Sequence, residues 1–297
     1  MTSTTVATDD DGRAVIRLAM AQMCSSNTHA RNIEIVTGLA VEAHAAGADL
    51  LALPEASGMV NKDVASARLS VTDEARDPFL AACRELAAKY GLWIHTGSTP
   101  LAGADGARFS NTSHLIDASG AFVARYDKIH LFDVDLPGEI SRRESDRYAP
   151  GGEAVLAETP WGPFGMSVCY DVRFPHLYRD YAHAGAKILF IPSAFAMSTG
   201  EAHWPTLLRA RAIENGCYVV AAAQCGHHDD GRDTWGQSMI VDPWGTVVED
   251  MGKRIGLAVA DLDLARVENT RRSIPSLLNE RDYSFEPGAT HRRRQTA

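Results

Sequence analysis

Residues 47–56 of the chain read GADLLALPEA, and residues 185–194 read GAKILFIPSA. In both stretches a glycine opens a continuous apolar run that a proline closes, and an alanine-rich segment with helical spacing precedes the glycine. Continuous apolar runs of this kind are typical of strands that are covered on both faces. The two stretches therefore predict two buried strands, each preceded by a helix, and they indicate an internal repeat.

The repeat continues through two more pairs of segments. YGLWI at residues 90–94 matches NGCYV at 215–219, and SHLIDASG at 113–120 matches SMIVDPWG at 238–245. A single offset of 125 positions relates both pairs. Each Asp-x-x-Gly segment predicts a tight turn between two antiparallel strands.

The repeated unit is predicted as strand, helix, strand, helix, strand, turn and strand. Its first four elements are expected in the two halves as strands at 15–23, 50–53, 165–169 and 188–191 and as helices at 33–46, 79–90, 177–184 and 204–214. Two such halves favour an α/β domain of two sheets packed face to face, with helices outside and an approximate two-fold axis. An open doubly wound sheet shares the alternation of strands and helices, but it does not predict the two matching hairpins.

The composition is that of a folded protein and excludes several classes. Of 297 residues, 45% are hydrophobic and 23% are charged, which excludes collagen-like, coiled-coil and wholly disordered chains. The 29 basic residues against 38 acidic ones give a net charge of −9, which argues against a nucleic-acid partner. Five scattered cysteines without a CxxC pair indicate a reducing compartment.

The chain is expected to form one domain between two short tails. The first residues are acidic and rich in threonine, and no stretch approaches the ~20 apolar residues that cross a bilayer. We therefore expect a cytoplasmic protein without a membrane partner. The predicted divisions are a disordered tail at 1–13, a single domain at 14–285 and a second tail at 286–297.

Three polar residues lie at or near predicted strand ends, where α/β proteins bind ligands. Glu55 follows LALP, Cys169 ends FGMSVC, and Lys128 follows FVARYD. Each has an ordinary structural alternative: an ion pair or helix cap for the carboxylate, a packed thiol for the cysteine and a solvated charge for the lysine. Together they supply a base, a nucleophile and a cationic stabiliser, which suffice for covalent catalysis without histidine.

The segments around these residues resemble the nitrilase superfamily of carbon–nitrogen hydrolases. The resemblance rests on LPE at 53–55, YDKIHLFD at 126–133 and SVCYDVRFP at 167–175, and it extends from about residue 16 to about residue 282. It implies a four-layer α-β-β-α sandwich, in agreement with the repeat. It also implies that Glu144 is a second carboxylate near Lys128, whereas the sequence alone would make Glu144 a surface charge.

Amide hydrolysis suggests a role for each of these residues. Glu55 is expected to take the proton of Cys169 as the sulfur attacks, and to pass it to the departing ammonia. Lys128 and the backbone N–H of Tyr170 would hold the oxyanion, Glu144 would orient Lys128, and water would cleave the thioester. Neither a metal nor a cofactor is expected, because GHHDDGRD at 226–233 has the composition of a solvated turn.

Within the superfamily, the segments between 192 and 245 most resemble the branch of deaminated-glutathione amidases and omega-amidases. The resemblance places Phe195 and Thr199 in the pocket. The planar guanidinium of Arg173 suits a substrate carboxylate, unless it forms a structural pair with Asp171 or Glu214. The expected substrate is a small carboxylate-bearing amide, such as deaminated glutathione or the omega-amide of a 2-oxo acid.

Three departures from the family pattern leave the acyl group open, namely His176, Ala196 and Gln237, which are expected near the pocket. Two alternatives also stay open. The chain could be a carbamoylase, another amidase or a nitrilase of the same superfamily, or it could be a catalytically silent binding or scaffold protein. The presence of all four catalytic positions argues against the last. The resemblance finally implies a homodimer or higher homo-oligomer, with residues 271–285 crossing the interface.

Overall fold

Two large β-sheets, a separate two-stranded sheet of β7 and β8, and two layers of helices form the computed structural model, which describes residues 15–103, 106–135 and 141–284. The strands are β1 (Val15–Met23), β2 (Leu50–Ala52), β3 (Trp93–His95), β4 (Thr99–Ala102), β5 (Phe109–Ile116), β6 (Phe122–Asp127), β7 (Asp133–Val134), β8 (Arg142–Arg143), β9 (Val155–Ala157), β10 (Phe164–Met166), β11 (Ile188–Phe190), β12 (Tyr218–Ala221), β13 (Ala223–His227), β14 (Asp233–Trp235), β15 (Met239–Val241), β16 (Val247–Asp250) and β17 (Gly256–Asp263). The helices are α1 (His29–Ala45), α2 (Val64–Arg68), α3 (Pro78–Tyr90), α4 (Pro175–His183), α5 (Met197–Asn215) and α6 (Ala265–Ser273). Three 3₁₀ helices cover Glu74–Arg76, Glu144–Asp146 and Cys169–Arg173.

The larger sheet has the strand order β14-β13-β1-β2-β3-β5-β4, with β17 also paired to β1 and β6 to β5. The second sheet has the order β16-β15-β12-β11-β10-β9. Within each sheet the central strands are parallel, as in β1-β2-β3 and β10-β11-β12. Residues of β12 and β13 are nearly consecutive but lie in different sheets, so the chain crosses between the sheets there.

In the larger sheet, the side chains of the parallel strands alternate between two hydrophobic cores. In β2, Leu50 belongs to the core between the sheets, together with Phe164 and Ile188 of the smaller sheet. Its neighbour Leu51 belongs to the core that the larger sheet forms with α1 and α3. On the other side, Trp204 of α5 packs on the smaller sheet. The resulting order of layers is α-β-β-α, which confirms the predicted fold class.

Matching features confirm the internal repeat. Gly91 and Gly216 adopt left-handed conformations (φ 64° and 56°) just after α3 and α5, where glycine carries no steric penalty. The predicted tight turns join β5 to β6 and β15 to β16, and in each the glycine N–H donates to the aspartate carbonyl at 2.9 Å. Each half thus follows the strand order that the sequence predicts.

Some predicted boundaries were wrong. The strand expected at 165–169 ends at Met166, because the next residues enter a 3₁₀ helix that starts at Cys169. The helix expected at 204–214 starts earlier, at Met197, since its first turn is too polar to show an apolar period. Among the described residues, no helix has the length and apolarity that a membrane crossing requires. The tails predicted at 1–13 and 286–297 lie outside the described residues.

Candidate active site

Glu55 lies in the turn that follows β2, with only 6% of its surface exposed. The backbone N–H of Leu53 donates to the carbonyl of His95 at 3.0 Å, which ties this turn to the neighbouring strand. Gly97 (φ 66°) passes so close that a Cβ there would lie 1.9 Å from the carbonyl oxygen of Pro54. Close packing of backbone against backbone therefore holds the carboxylate of Glu55 at the carboxyl end of β2.

Lys128 directly follows β6, and its side chain is almost fully buried, with 2% exposed. Its N–H donates to the carbonyl of Asn111 at 3.0 Å, and its carbonyl accepts from Gly151 at 2.8 Å, so both ends of the residue are fixed. Glu144 opens a 3₁₀ helix, and its Oε2 accepts from the backbone N–H of Phe132 at 2.6 Å. That contact turns the Glu144 carboxylate inward.

Cys169 occupies a strained position after β10. Its φ of 51° is rare for a residue with a side chain. The fully buried carboxylate of Asp171 supports the turn, because it accepts from the N–H of Val168 at 2.8 Å and from the hydroxyl of Tyr126 at 2.7 Å. Cys169 N–H donates to the carbonyl of Pro192 at 2.9 Å. These contacts fix the backbone so that the thiol faces the same cavity as Glu55, and the charge of Glu55 acts on it.

Three of the four residues meet in one hydrogen-bonded cluster, and Cys169 lines the same cavity. Lys128 Nζ donates to Glu55 Oε1 at 2.9 Å and to both carboxylate oxygens of Glu144, at 3.0 and 2.9 Å. The second oxygen of Glu55 accepts from the backbone N–H of Ala194 at 2.7 Å. The structure thus brings together the candidate base, nucleophile, cation and second carboxylate from four separate segments.

The cluster has a defined charge state. Burial alone would raise the pKa of Glu55, but the ammonium of Lys128 and the surrounding donors hold it below its usual range. Burial likewise opposes the charge of Lys128, yet Glu144 and Glu55 keep its pKa well above the ordinary value. For Cys169, burial and then the negative charge of Glu55 raise the pKa of the thiol. These directions favour a charged Glu55, a charged Lys128 and a neutral thiol in the resting site.

Asn111 is a member of this cluster that the sequence did not indicate. Its side-chain amide donates to Glu55 Oε1 at 3.0 Å and to Glu144 Oε1 at 3.4 Å. It lies within β5, where its backbone pairs with Pro100 of β4. An isolated asparagine in a strand carries no chemical signature, so only the tertiary structure reveals that it bridges the two carboxylates.

A cavity of about 810 Å³ opens in front of the cluster. Glu55, Lys128, Glu144 and Cys169 line its inner end. Tyr170, Phe195, Ala196 and Thr199 also line it, so two of the three residues expected to bind substrate face this space. In the part of the chain that the structure describes, no group of three or more His, Cys, Asp and Glu side chains is arranged to hold a metal ion.

Arg173 differs from the expectation, because it is not among the residues that line the cavity. Its guanidinium lies over the rings of Phe195 and Tyr170, 5.5 and 5.8 Å from their centres, and within 3.3 Å of His203 Nδ1. It also forms no ion pair with Asp171 or Glu214, both of which are described. Arg173 therefore supports two lining rings.

Two of the three departures from the family pattern also lie outside the cavity lining. His176 is exposed on the first turn of α4, where its ring approaches that of Phe174. Gln237 (φ 56°) is held by its backbone, which accepts from Trp204 Nε1 at 2.8 Å. Neither residue lines the cavity, whereas Ala196 does. The expectation that His176 and Gln237 lie near the pocket stays a prediction.

Fold and site define a nitrilase-type carbon–nitrogen hydrolase, and comparisons with known proteins agree. Residues 17–272 match the carbon-nitrogen hydrolase family. The chain is 41% identical to the deaminated glutathione amidase of Homo sapiens over 268 residues, which cover 89% of this chain and 82% of that protein. The Caenorhabditis elegans NitFhit structure superposes with a TM-score of 0.83 and 37% identity, over 90% of this chain and 65% of that one.

A third relative shows the chemistry of the cysteine. The amidase from Nesterenkonia sp. AN1 matches with a TM-score of 0.71 and 27% identity, over 88% of this chain and 98% of that one. A glutamate-to-glutamine mutant of that amidase carries acrylamide added to the active-site cysteine. The chain belongs to the carbon–nitrogen hydrolase family, and it is a hydrolase that acts on carbon–nitrogen bonds other than peptide bonds. This confirms the resemblance to the nitrilase superfamily.

Proposed function

We propose that the protein is a cysteine-dependent amidase in which Glu55, Lys128, Glu144 and Cys169 perform the reaction. The observation that carries the proposal is the buried cluster in which Lys128 Nζ lies within 3.0 Å of both carboxylates while the thiol of Cys169 lines the same cavity. A buried ion cluster of this kind is costly unless its charges are used or fully paired. Here Glu55 is paired, and Cys169 is the only thiol that lines the cavity in the described chain.

In the first half-reaction the thiol of Cys169 attacks the amide carbonyl. A carbon–sulfur bond forms as the proton passes to Glu55, and the carbonyl oxygen becomes an oxyanion that Lys128 and the backbone N–H of Tyr170 stabilise. Glu55 then gives the proton to the nitrogen as the carbon–nitrogen bond breaks. Ammonia or an amine leaves, and the acyl group remains as a thioester.

In the second half-reaction water replaces the amine. Glu55 takes a proton from the water as its oxygen attacks the thioester, and the same proton returns to sulfur when the carbon–sulfur bond breaks. Lys128 stays charged throughout, because Glu144 and Glu55 hold its pKa well above the usual range. Glu144 and Asn111 hold the ammonium of Lys128 and the carboxylate of Glu55 in position.

The proposed substrate is a small amide that bears a carboxylate. Similarity to deaminated glutathione amidases supports deaminated glutathione or the omega-amide of a 2-oxo acid. A cavity of about 810 Å³ falls within the range of roughly 300–1,000 Å³ that is usual for small-molecule sites. The two substrates differ in the leaving group, which is an amine in the first case and ammonia in the second.

The test compares the wild-type protein with Cys169→Ala on a panel that contains deaminated glutathione, 2-oxoglutaramate and neutral aliphatic amides. We expect the substitution to lower kcat by at least about 10³-fold, since the covalent route is lost. A decrease of less than about tenfold would contradict the mechanism. If no amide is cleaved, labelling of Cys169 by iodoacetamide separates a reactive site with another substrate from an inert scaffold.

We also propose that the protein is a cytoplasmic homodimer. All five cysteines are free thiols, which suits a reducing compartment. Trp244 and Ile274 are more than half exposed beside a shallow pocket, and such apolar surfaces often pair. Within 271–285, however, Arg271 and Glu280 contact their own chain, at Ala186 and His183. Light scattering at the mass of a single chain, 32.1 kDa, would contradict the dimer.

A further inference from the structure

The charge of the cavity is opposite to that of the whole chain. The chain carries a net charge of −9. Six basic side chains line the cavity, namely Lys62, Lys128, Arg142, Arg143, Arg147 and Arg232. Only three acidic residues line it among the described residues, and two of these are the catalytic carboxylates. A concave surface with this excess of positive charge attracts anions.

Several of these cations already have partners. Arg143 forms two hydrogen bonds to the carboxylate of Asp135, at 2.7 and 2.9 Å. Arg232 is paired in the same way with Asp230. Within the described stretches, Lys62 and Arg147 form no ion pair. Arg142 interacts with another group of the protein, and Lys128 belongs to the inner cluster. Lys62 and Arg147 are therefore the lining cations on which the subsite is based.

Lys62 and Arg147 come from different segments but are held next to each other. A guanidinium nitrogen of Arg147 donates to the backbone carbonyl of Asn61, the residue before Lys62. The Nε of Arg147 is buried without a hydrogen-bond partner in the described structure. Lys62 is exposed, and its Nζ would lie 3.4 Å from a Cβ placed on Gly231 across the cavity. The pair thus stands where the cavity meets solvent.

Tyr148 connects this pair to the catalytic cluster. Its ring lies under the guanidinium of Arg147, 5.6 Å from the ring centre. Burial raises the pKa of its phenol, Arg147 and Arg232 oppose that change, and the catalytic carboxylates reinforce it. The phenol is therefore near both sets of charges. One small molecule can extend from the catalytic cluster past Tyr148 to the cationic pair.

We propose that Lys62 and Arg147 form an anion subsite that binds a carboxylate of the amide substrate and selects anionic over neutral amides. This inference rests on the proposed amidase function. The planar guanidinium and the ammonium are the groups that bind carboxylates most strongly in proteins. The subsite makes Lys62 and Arg147 determinants of specificity. Bond cleavage depends on the catalytic cluster around Lys128.

The test uses glutaramate and glutaramide, which have the same shape but differ by one carboxylate. We expect the wild-type protein to prefer glutaramate by at least about tenfold in kcat/KM, and added salt to reduce the preference. Lys62→Gln should raise KM for glutaramate about three- to tenfold and leave kcat unchanged. Arg147→Gln should raise it about tenfold or more, and Arg147→Lys should restore part of the loss. The KM for glutaramide should change less than about twofold in these variants.

Lys89→Gln is the matched control. It removes one positive charge from an exposed helix position, where Lys89 contacts only the ring of Tyr90 in the described structure. It should leave kcat/KM unchanged for both amides. Because Lys62 is exposed, its variant tests the subsite even if Arg147→Gln fails to fold. The subsite would be overturned if the variants lowered kcat/KM equally for both amides, or if the wild-type protein showed no preference for glutaramate.

The proposed function can fail separately from this inference. Titration calorimetry of both amides against Cys169→Ala measures binding without turnover. A binding preference for glutaramate that Lys62→Gln removes, together with cysteine-independent hydrolysis, would overturn the amidase mechanism and keep the anion subsite. Cysteine-dependent hydrolysis without any charge preference would do the reverse.

Discussion

The ends of β2 and β11 occupy equivalent places in the two halves of the molecule, but only one of them carries a charge. LPEA at 53–56 aligns with IPSA at 191–194, so Glu55 corresponds to Ser193. The Ser193 hydroxyl is buried and donates to the carbonyl of Ile191 at 3.1 Å. The next residue, Ala194, donates its N–H to Glu55 across the sheet interface at 2.7 Å.

The two strand ends therefore have different tasks in one site. One supplies a buried carboxylate, and the other supplies a neutral backbone donor to it. A second carboxylate at 193 would need its own cation, because an unpaired buried charge is costly. Lys128 already serves Glu55 and Glu144. The repeat thus provides two similar strand ends. The number of available cations limits how many of these ends can hold a buried ionised side chain.

The largest expected effect separates these two strand ends directly. Glu55→Gln keeps the size of the side chain and removes the base, so we expect kcat to fall about 10³-fold. Ser193→Ala removes one hydrogen bond that no proton transfer uses, so kcat should fall less than about tenfold. Steady-state kinetics on the best amide of the panel measures both. Similar losses in the two variants would mean that Glu55 only supports the fold.

A second pair of equivalent positions tests the backbone beneath these strand ends. The offset of 125 relates Gly97 to Ala222. At Gly97 a Cβ would lie 1.9 Å from the Pro54 carbonyl and the φ is 66°, whereas Ala222 already has a Cβ in the core. We expect Gly97→Ala to destabilise the protein by about 3 kcal/mol, through the clash and the strained φ. Ala222→Gly should cost only about 1 kcal/mol.

Urea unfolding of both variants gives the two free energies of unfolding. The kinetic consequence serves as a control, because Gly97→Ala should also lower kcat by displacing Glu55, whereas Ala222→Gly should not. If Gly97→Ala retains wild-type stability and activity, the close approach of the two backbones does not position the base.

The sequence predicted the layers of the fold and the inner cluster because both leave local patterns. Apolar runs closed by proline mark the strand ends, and an ionisable residue after such a run is conspicuous. Glu144 required the family resemblance, since it follows no strand of the predicted repeat and stands among charged neighbours. Its inward position depends on the backbone of Phe132, twelve residues away, which no local pattern shows.

The outer part of the site could not be predicted for the same reason. Arg173 follows the nucleophile closely in sequence, yet after the 3₁₀ turn its guanidinium lies over the ring of Phe195. Lys62 and Arg147 are ordinary surface residues by sequence, and only tertiary contacts bring them to one opening. Local sequence thus predicts groups fixed to strand ends, whereas groups that long loops bring together need the structure.

The smallest expected effect concerns the protonation of Cys169. Burial and then the charge of Glu55 raise the pKa of the thiol above its ordinary 9.0, and Lys128 only partly opposes this. Alkylation by iodoacetamide, followed at the peptide of Cys169, should therefore keep rising as the pH passes 9.0. Glu55→Gln removes a negative charge beside the sulfur, so the midpoint should move to lower pH. Ser193→Ala should leave it unchanged.

This result distinguishes two mechanisms that share the same residues. With a neutral resting thiol, Glu55→Gln is alkylated faster than the wild type at a fixed pH below the ordinary thiol value of 9.0, although it no longer cleaves amides. With a thiolate already paired to Lys128 and the proton resting on Glu55, the wild type would be alkylated at the same rate down to neutral pH. The raised pKa of the thiol favours the first mechanism, because the attraction of Lys128 does not offset burial and the charge of Glu55. The base must then act during the attack itself.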